Sequence, residues 1–167
     1  KDYDAAIKKD NANSDYFMGR AKCYDRLGDF TRALKDYSKS IDLDNNNLES
    51  LQLRADLYKR NGDVFKAIAD YKMYLTVNKA NMGVYMELSD LHVMANNLKA
   101  AVEDLDNGLS VYPKESQAYY KKAMLFLRLN KLDTAVDNFS IWQKKGWLIQ
   151  DEQPRFYIYA QTMNGRT

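Results

Sequence analysis

Gly28-Asp29-Phe30, Gly62-Asp63-Val64, Asn96-Asn97-Leu98 and Asn130-Lys131-Leu132 decide the fold of this 167-residue chain. The triplets begin at positions 28, 62, 96 and 130, a constant step of 34. Working outward, a small residue follows each triplet by three positions: Ala33, Ala67, Ala101, Ala135. A large one follows four later: Tyr37, Tyr71, Leu105, Phe139. Upstream lie a second small set (Ala21, Ala55, Ser89, Ala123), a mostly aromatic set (Tyr24, Tyr58, His92, Phe126) and a bulky entry set (Phe17, Leu51, Tyr85, Tyr119). So many columns in register at one period mark a repeat array, in which each unit buries its apolar face against the next.

Each unit reads as two short helices, A and B, joined by the Gly/Asn turn. Phe30, Ala33, Leu34, Tyr37 and Ile41 recur at helical spacing in the first B helix. Asp29 and Asp63 stand where a side chain caps a helix start, whereas Lys131 cannot. Asn96 and Asn130 replace the turn glycine, and asparagine tolerates the left-handed backbone that such a turn needs. The alanines allow close backbone approach, and the 13 tyrosines suit helix seams with one wet edge. Two prolines and seven glycines are too few for an all-β chain rich in turns.

This pattern resembles the tetratricopeptide repeat family over almost the whole chain. The resemblance implies an all-α, right-handed superhelical α-solenoid of stacked antiparallel helix pairs. Four units are expected at 14–47, 48–81, 82–115 and 116–149. Residues 1–13 read as part of a B helix from a preceding repeat, since Tyr3, Ala6 and Ile7 share the phase of Tyr37, Ser40 and Ile41. Residues 150–167 read as a C-terminal helix, either a cap or the A helix of a further repeat. The family's closing proline appears only as Pro113; Asn45, Lys79 and Trp147 stand in the other units.

The residues offer no catalytic constellation, and neither a metal nor a cofactor is expected. His92 is the only histidine, and its seam position reads as packed and hydrogen-bonded. Cys23, the only cysteine, reads as a small buried hydrophobe. Glu103, Asp104 and Asp106 read as a solvated face. A formal net charge of +2, with no basic stripe among stacking aromatics, argues against nucleic acid as a partner. No apolar run approaches the roughly 20 residues that span a bilayer, so no membrane insertion is expected.

In the resembled family, the A helices line a concave groove that binds peptides. Carried over by position, the groove candidates are Met18 and Lys22 in the first unit, and Gln52, Leu53 and Asp56 in the second. The third unit offers Met86, Glu87, Asp90, Val93 and Met94. The fourth offers Tyr120, Lys121, Met124, Leu127 and Arg128. Met86, Val93, Met94, Tyr120, Met124 and Leu127 form the groove's apolar floor or pack against the adjoining helix. The carboxylate clamp that some family members use for chaperone tails is not matched: Met18, Leu53, Gly83 and Glu87 stand at its positions. The expected function is therefore a scaffold that holds a protein or peptide partner. The alternative is a structural spacer within a larger polypeptide, and exposed end seams are expected to favour end-to-end self-association.

Overall fold

The computed structural model describes residues 2–146 and Thr162, and the expected features at Trp147 and over 150–167 lie outside these apart from Thr162. Among the described residues the ordered elements are α1 (Asp2–Lys9), α2 (Ser14–Arg26), α3 (Phe30–Leu43), α4 (Leu48–Arg60), α5 (Val64–Val77), α6 (Met82–Met94), α7 (Leu98–Val111), α8 (Ser116–Arg128) and α9 (Leu132–Gly146), with no strand. The chain divides into two compact units, residues 1–80 and 81–167. The first holds α1, the hairpin α2–α3 and the hairpin α4–α5. The second holds the hairpins α6–α7 and α8–α9.

The four hairpin turns share one geometry. Gly28 and Gly62 take φ values of 76° and 82°, and Asn96 and Asn130 both take 56°. Nothing lies within 4 Å of a Cβ placed on Gly28 or Gly62, so the backbone angle and not crowding selects glycine there. Each A helix ends with the same pair of bonds. In the first, Gly28 N donates to Asp25 O at 3.0 Å and Asp29 N to Tyr24 O at 2.9 Å. The deeper bond recurs as Asp63 to Tyr58, Asn97 to His92 and Lys131 to Phe126 at 2.7–2.8 Å, a Schellman closure in every turn.

Helix starts are capped mostly by asparagine. Asn13, Asn47 and Asn81 accept from Asp15 N, Ser50 N and Val84 N to open α2, α4 and α6. Asp29 caps α3 by accepting from Arg32 N at 3.0 Å, as its sequence position implies. Asp63 does not: its side chain makes no cap bond and instead accepts from Lys66 Nζ at 3.1 Å.

The core follows the small and large columns. Ala21, Ala33, Ala55, Ala67, Ala101, Ala123 and Ala135 are fully buried, with Tyr37, Tyr71, Leu105 and Phe139 packed among them. The apolar stripe of α3 is narrower than its spacing implies, because Phe30 at its start is exposed and Leu34 only half-buried. Two glycines mark close approaches. The ring of Tyr3 on α1 lies over Gly19, where a Cβ would stand, and α1 buries none of its own residues. A Cβ on Gly108 of α7 would meet Met82 Sδ at 2.7 Å and Tyr85 Cβ at 2.9 Å on α6.

Candidate functional site

The expected groove positions lie on the A helices, and ion pairs tie neighbouring A helices within each unit. In the first unit Lys22 Nζ on α2 donates to Glu49 Oε1 on α4 at 2.6 Å. Arg60 Nη2 on α4 donates to both carboxylate oxygens of Asp25 on α2, at 2.8 and 2.6 Å. Asp56 accepts from the Tyr71 hydroxyl at 2.5 Å. In the second unit Lys121 Nζ on α8 donates to both oxygens of Asp90 on α6, at 2.7 and 2.6 Å. The bond to Asp25 holds the Arg60 guanidinium above its ordinary pKa. Consecutive A helices therefore bring Lys22, Asp56, Asp90 and Lys121 onto faces whose charges are largely satisfied within the protein.

The apolar candidates divide differently. Met18 and Leu53 pack on the cluster of Ala21, Ala33, Tyr37 and Leu57. Met86 and Val93 pack on Met82, Leu105 and their neighbours. Tyr120, Met124 and Leu127 pack with Trp142 on the cluster of Ala123, Val136 and Phe139, the Tyr120 and Trp142 rings lying 5.1 Å apart. These residues are half-buried. Met94 is 55% exposed, and Gln52 and Arg128 are exposed with it, while Glu87 is half-buried. The free apolar surface of the face is thus smaller than the candidate set, because much of each side chain packs into the core clusters of its own unit.

A second polar system runs between A and B helices, and its residues were absent from the sequence-derived candidates. Arg20 Nε and Nη2 donate to both oxygens of buried Asp36, at 2.7 and 2.9 Å, while Nη1 reaches Asp4 on α1 at 2.8 Å. One period later Arg54 grips buried Asp70 at 2.8 and 2.7 Å and reaches Ser38 Oγ at 2.9 Å. In the third repeat Leu88 occupies the arginine's place, and His92 Nδ1 meets Asp104 Oδ2 at 2.5 Å instead. In the fourth, Asn138 donates to its own helix at Thr134 O, and Lys122 reaches back to Asp106. The bond to Asp36, first, and that to Asp4 raise the pKa of Arg20; the same bond from Arg20 lowers that of Asp4. A signal existed in the sequence: positions 36, 70, 104 and 138 are polar at every period, beside the large apolar column.

Two sequence readings are corrected here. Cys23 is exposed, since its position on α2 faces away from the Ala21 seam. Asp104 is buried against His92, so the acidic cluster on α7 is not one solvated face; Glu103 and Asp106 alone lie outward. His92 is packed and hydrogen-bonded, as its column implied. Among the described residues, no group of three or more His, Cys, Asp or Glu could hold a metal ion, and no helix is long and apolar enough to cross a membrane.

Comparison with known proteins follows this geometry. Residues 14–47 match the tetratricopeptide repeat family, and residues 111–167 match a family described only as a protein of unknown function (DUF1015). No curated protein matches the chain. Among solved structures, MamA is 22% identical with a TM-score of 0.68, over 78% of this chain and 72% of its own. YrrB, described as a TPR protein with an unusual peptide-binding site, is 17% identical with a TM-score of 0.68, over 87% of this chain and 75% of its own. PilF of Pseudomonas aeruginosa is 14% identical with a TM-score of 0.70, over 98% of this chain and 74% of its own. The fold is an all-α solenoid of tetratricopeptide helix pairs. The likeness to these structures lies in the fold, and within the chain the 14–47 segment alone matches the tetratricopeptide repeat model.

Proposed function

We propose that the A-helix faces bind a segment of another protein, extended or helical, whose side chains are mainly uncharged. The observation that carries this reading is the set of ion pairs linking consecutive A helices: Lys22–Glu49 and Asp25–Arg60 in one unit, Asp90–Lys121 in the other. These pairs join neighbouring A helices among the expected groove positions, which supports reading those positions as one face in each unit. They also use up most of its charge, so a strongly charged peptide would have to displace a pair already made. Exposed Met94 and Gln52 beside them offer adaptable apolar contact and amide hydrogen bonding. The peptide-binding site described for YrrB is consistent with such use of this fold.

The test is site-specific photocrosslinking. A photoreactive phenylalanine analogue is placed at Gln52, Met94 or Arg128 on the faces, or at exposed Glu103 as a control, and the protein is irradiated in extract of its own cells. The expected result is one partner band, identified by mass spectrometry, from the first three positions and not from Glu103. Crosslinking from Glu103 alone, or equally from all four, would remove the groove reading.

A further inference from the structure

We propose that Ser38 is a phosphorylation site whose phosphate clamps the hairpin α2–α3 to α4. The inference is independent of what the groove holds. It starts from three equivalent contacts. Arg20 reaches Asp4, Arg54 reaches Ser38 and Lys122 reaches Asp106, in each case a cation of one A helix meeting the residue 16 positions earlier on the preceding B helix. Two of the three acceptors are carboxylates. Ser38 is the one neutral acceptor of the three; the same column holds Lys72 in the repeat where Leu88 replaces the A-helix cation.

The surroundings suit an added anion. Ser38 is half-buried and lines a cavity of about 470 Å3 together with Arg20, Lys35, Lys39, Asp36 and Asp42. Asp36 is already engaged by Arg20. Lys35 stands three residues before Ser38, one helical turn away, and both it and Lys39 are exposed. Arg54 Nη1 already points at Ser38 Oγ. A phosphate there gains Arg54 Nη1, the arm of that guanidinium not bonded to Asp70, and the two lysines of the cavity, against the single exposed carboxylate of Asp42. Ser40, two residues on, is excluded: it is fully buried and bonded to Ser50 Oγ at 2.8 Å.

Chemically, Ser38 Oγ attacks the γ-phosphorus of a nucleoside triphosphate held by a protein serine kinase. The new O–P bond forms as the bond to the nucleoside diphosphate breaks, and the hydroxyl proton passes to the kinase's base. No redox change is involved. The product ties the B helix of one repeat to the A helix of the next, stiffening the junction that sets the spacing of α2 and α4.

The test compares unmodified protein with protein carrying genetically encoded phosphoserine at position 38. The expected result is a Tm higher by about 2–4 °C, the response of a chain this size to one new charge-assisted pairing. The gain should shrink in a Lys35→Gln, Lys39→Gln background, which leaves the buried pairs intact. An unchanged or lower Tm would overturn the proposal. Inorganic phosphate added to unmodified protein at constant ionic strength should leave Tm unchanged; an equal rise there would assign the site to a free anion and overturn the covalent reading. Peptide mass spectrometry on protein from its own cells should find phosphate on Ser38, and its absence would likewise overturn it.

Discussion

Arg54→Leu is the most informative single change, because the third repeat shows what else the protein does when leucine stands there. Arg54 makes two bonds to Asp70 and one to Ser38, and both charged side chains are largely out of water. Removing one partner of a buried pair strands the other charge, at a cost of about 3–5 kcal/mol. For a chain of this length each kcal/mol lowers Tm by roughly 2–4 °C, so the variant should melt at least about 6 °C lower. Leucine itself fits, since Leu88 is buried at the same place one period on. The loss is therefore electrostatic, and it should be repaired as the third repeat repairs it. Tyr58→His copies His92, whose ring reaches Asp104. In the Arg54→Leu, Tyr58→His double variant the new imidazole should recover about 1.5–3 kcal/mol, the worth of a hydrogen bond to a charged group. Replacing both charges, as Arg54→Leu with Asp70→Leu, should also recover most of the loss. The assay is urea unfolding followed by circular dichroism, with hydrogen exchange of α5 amides to place the effect in the first unit. Strict additivity in the double variant with histidine, or a cost below about 1 kcal/mol for Arg54→Leu alone, would refute the reasoning.

Two further outcomes follow from packing and burial. Gly108→Ala should destabilise by about 1–2 kcal/mol in thermal melts, because overpacking against Tyr85 Cβ at 2.9 Å outweighs alanine's helix propensity; a raised Tm would contradict the close approach. Burial, first, and nearby Asp25 push the Tyr37 phenol up to about 12, and this residue is only 1% exposed. Because the folded value is raised, its stabilisation is complete below the unfolded pKa of about 10 and is lost as pH climbs towards 12. Between pH 9 and 11 wild type should therefore lose about 1.4 kcal/mol that Tyr37→Phe does not lose, measured by urea unfolding at both pH values.

The fold class was legible because it rests on backbone and volume, which repeat with little tolerance. Positive φ at 28, 62, 96 and 130 admits glycine or asparagine, and the sequence offers only those. The alanine columns admit nothing larger, and they too are unbroken except by Ser89. The candidate site was legible in part. Helical phase brought Lys22, Asp90 and Lys121 onto A-helix faces, but phase cannot say how far a half-buried methionine turns inward. Met86 and Met124 pack against core clusters, while Met94, at the end of α6, is 55% exposed. At Asp63 the carboxylate meets Lys66, one turn on, in place of a backbone N–H, whereas Asp29 accepts from both the backbone and the side chain of Arg32. Burial of Asp104 was hidden because the partner that makes it tolerable, His92, comes from another helix.

That partner exchange explains how a repeat drifts without losing its shape. A buried carboxylate is held at 36, 70 and 104, and each needs a hydrogen-bonding partner to stay dry. Arginine at 20 and 54 supplies it from the A helix. With Leu88 in that place, the burden moves one helical turn to His92, which is why an aromatic column carries a histidine only there. At 138 the acid has become an amide that bonds its own helix at Thr134, so the fourth repeat needs no cation at that point, and Lys122 turns to Asp106 on the preceding B helix. Changes at 88 and 92, and at 122 and 138, therefore make sense only as pairs. What is constrained is the satisfaction of one buried position, and the identities around it are free to move provided they move together.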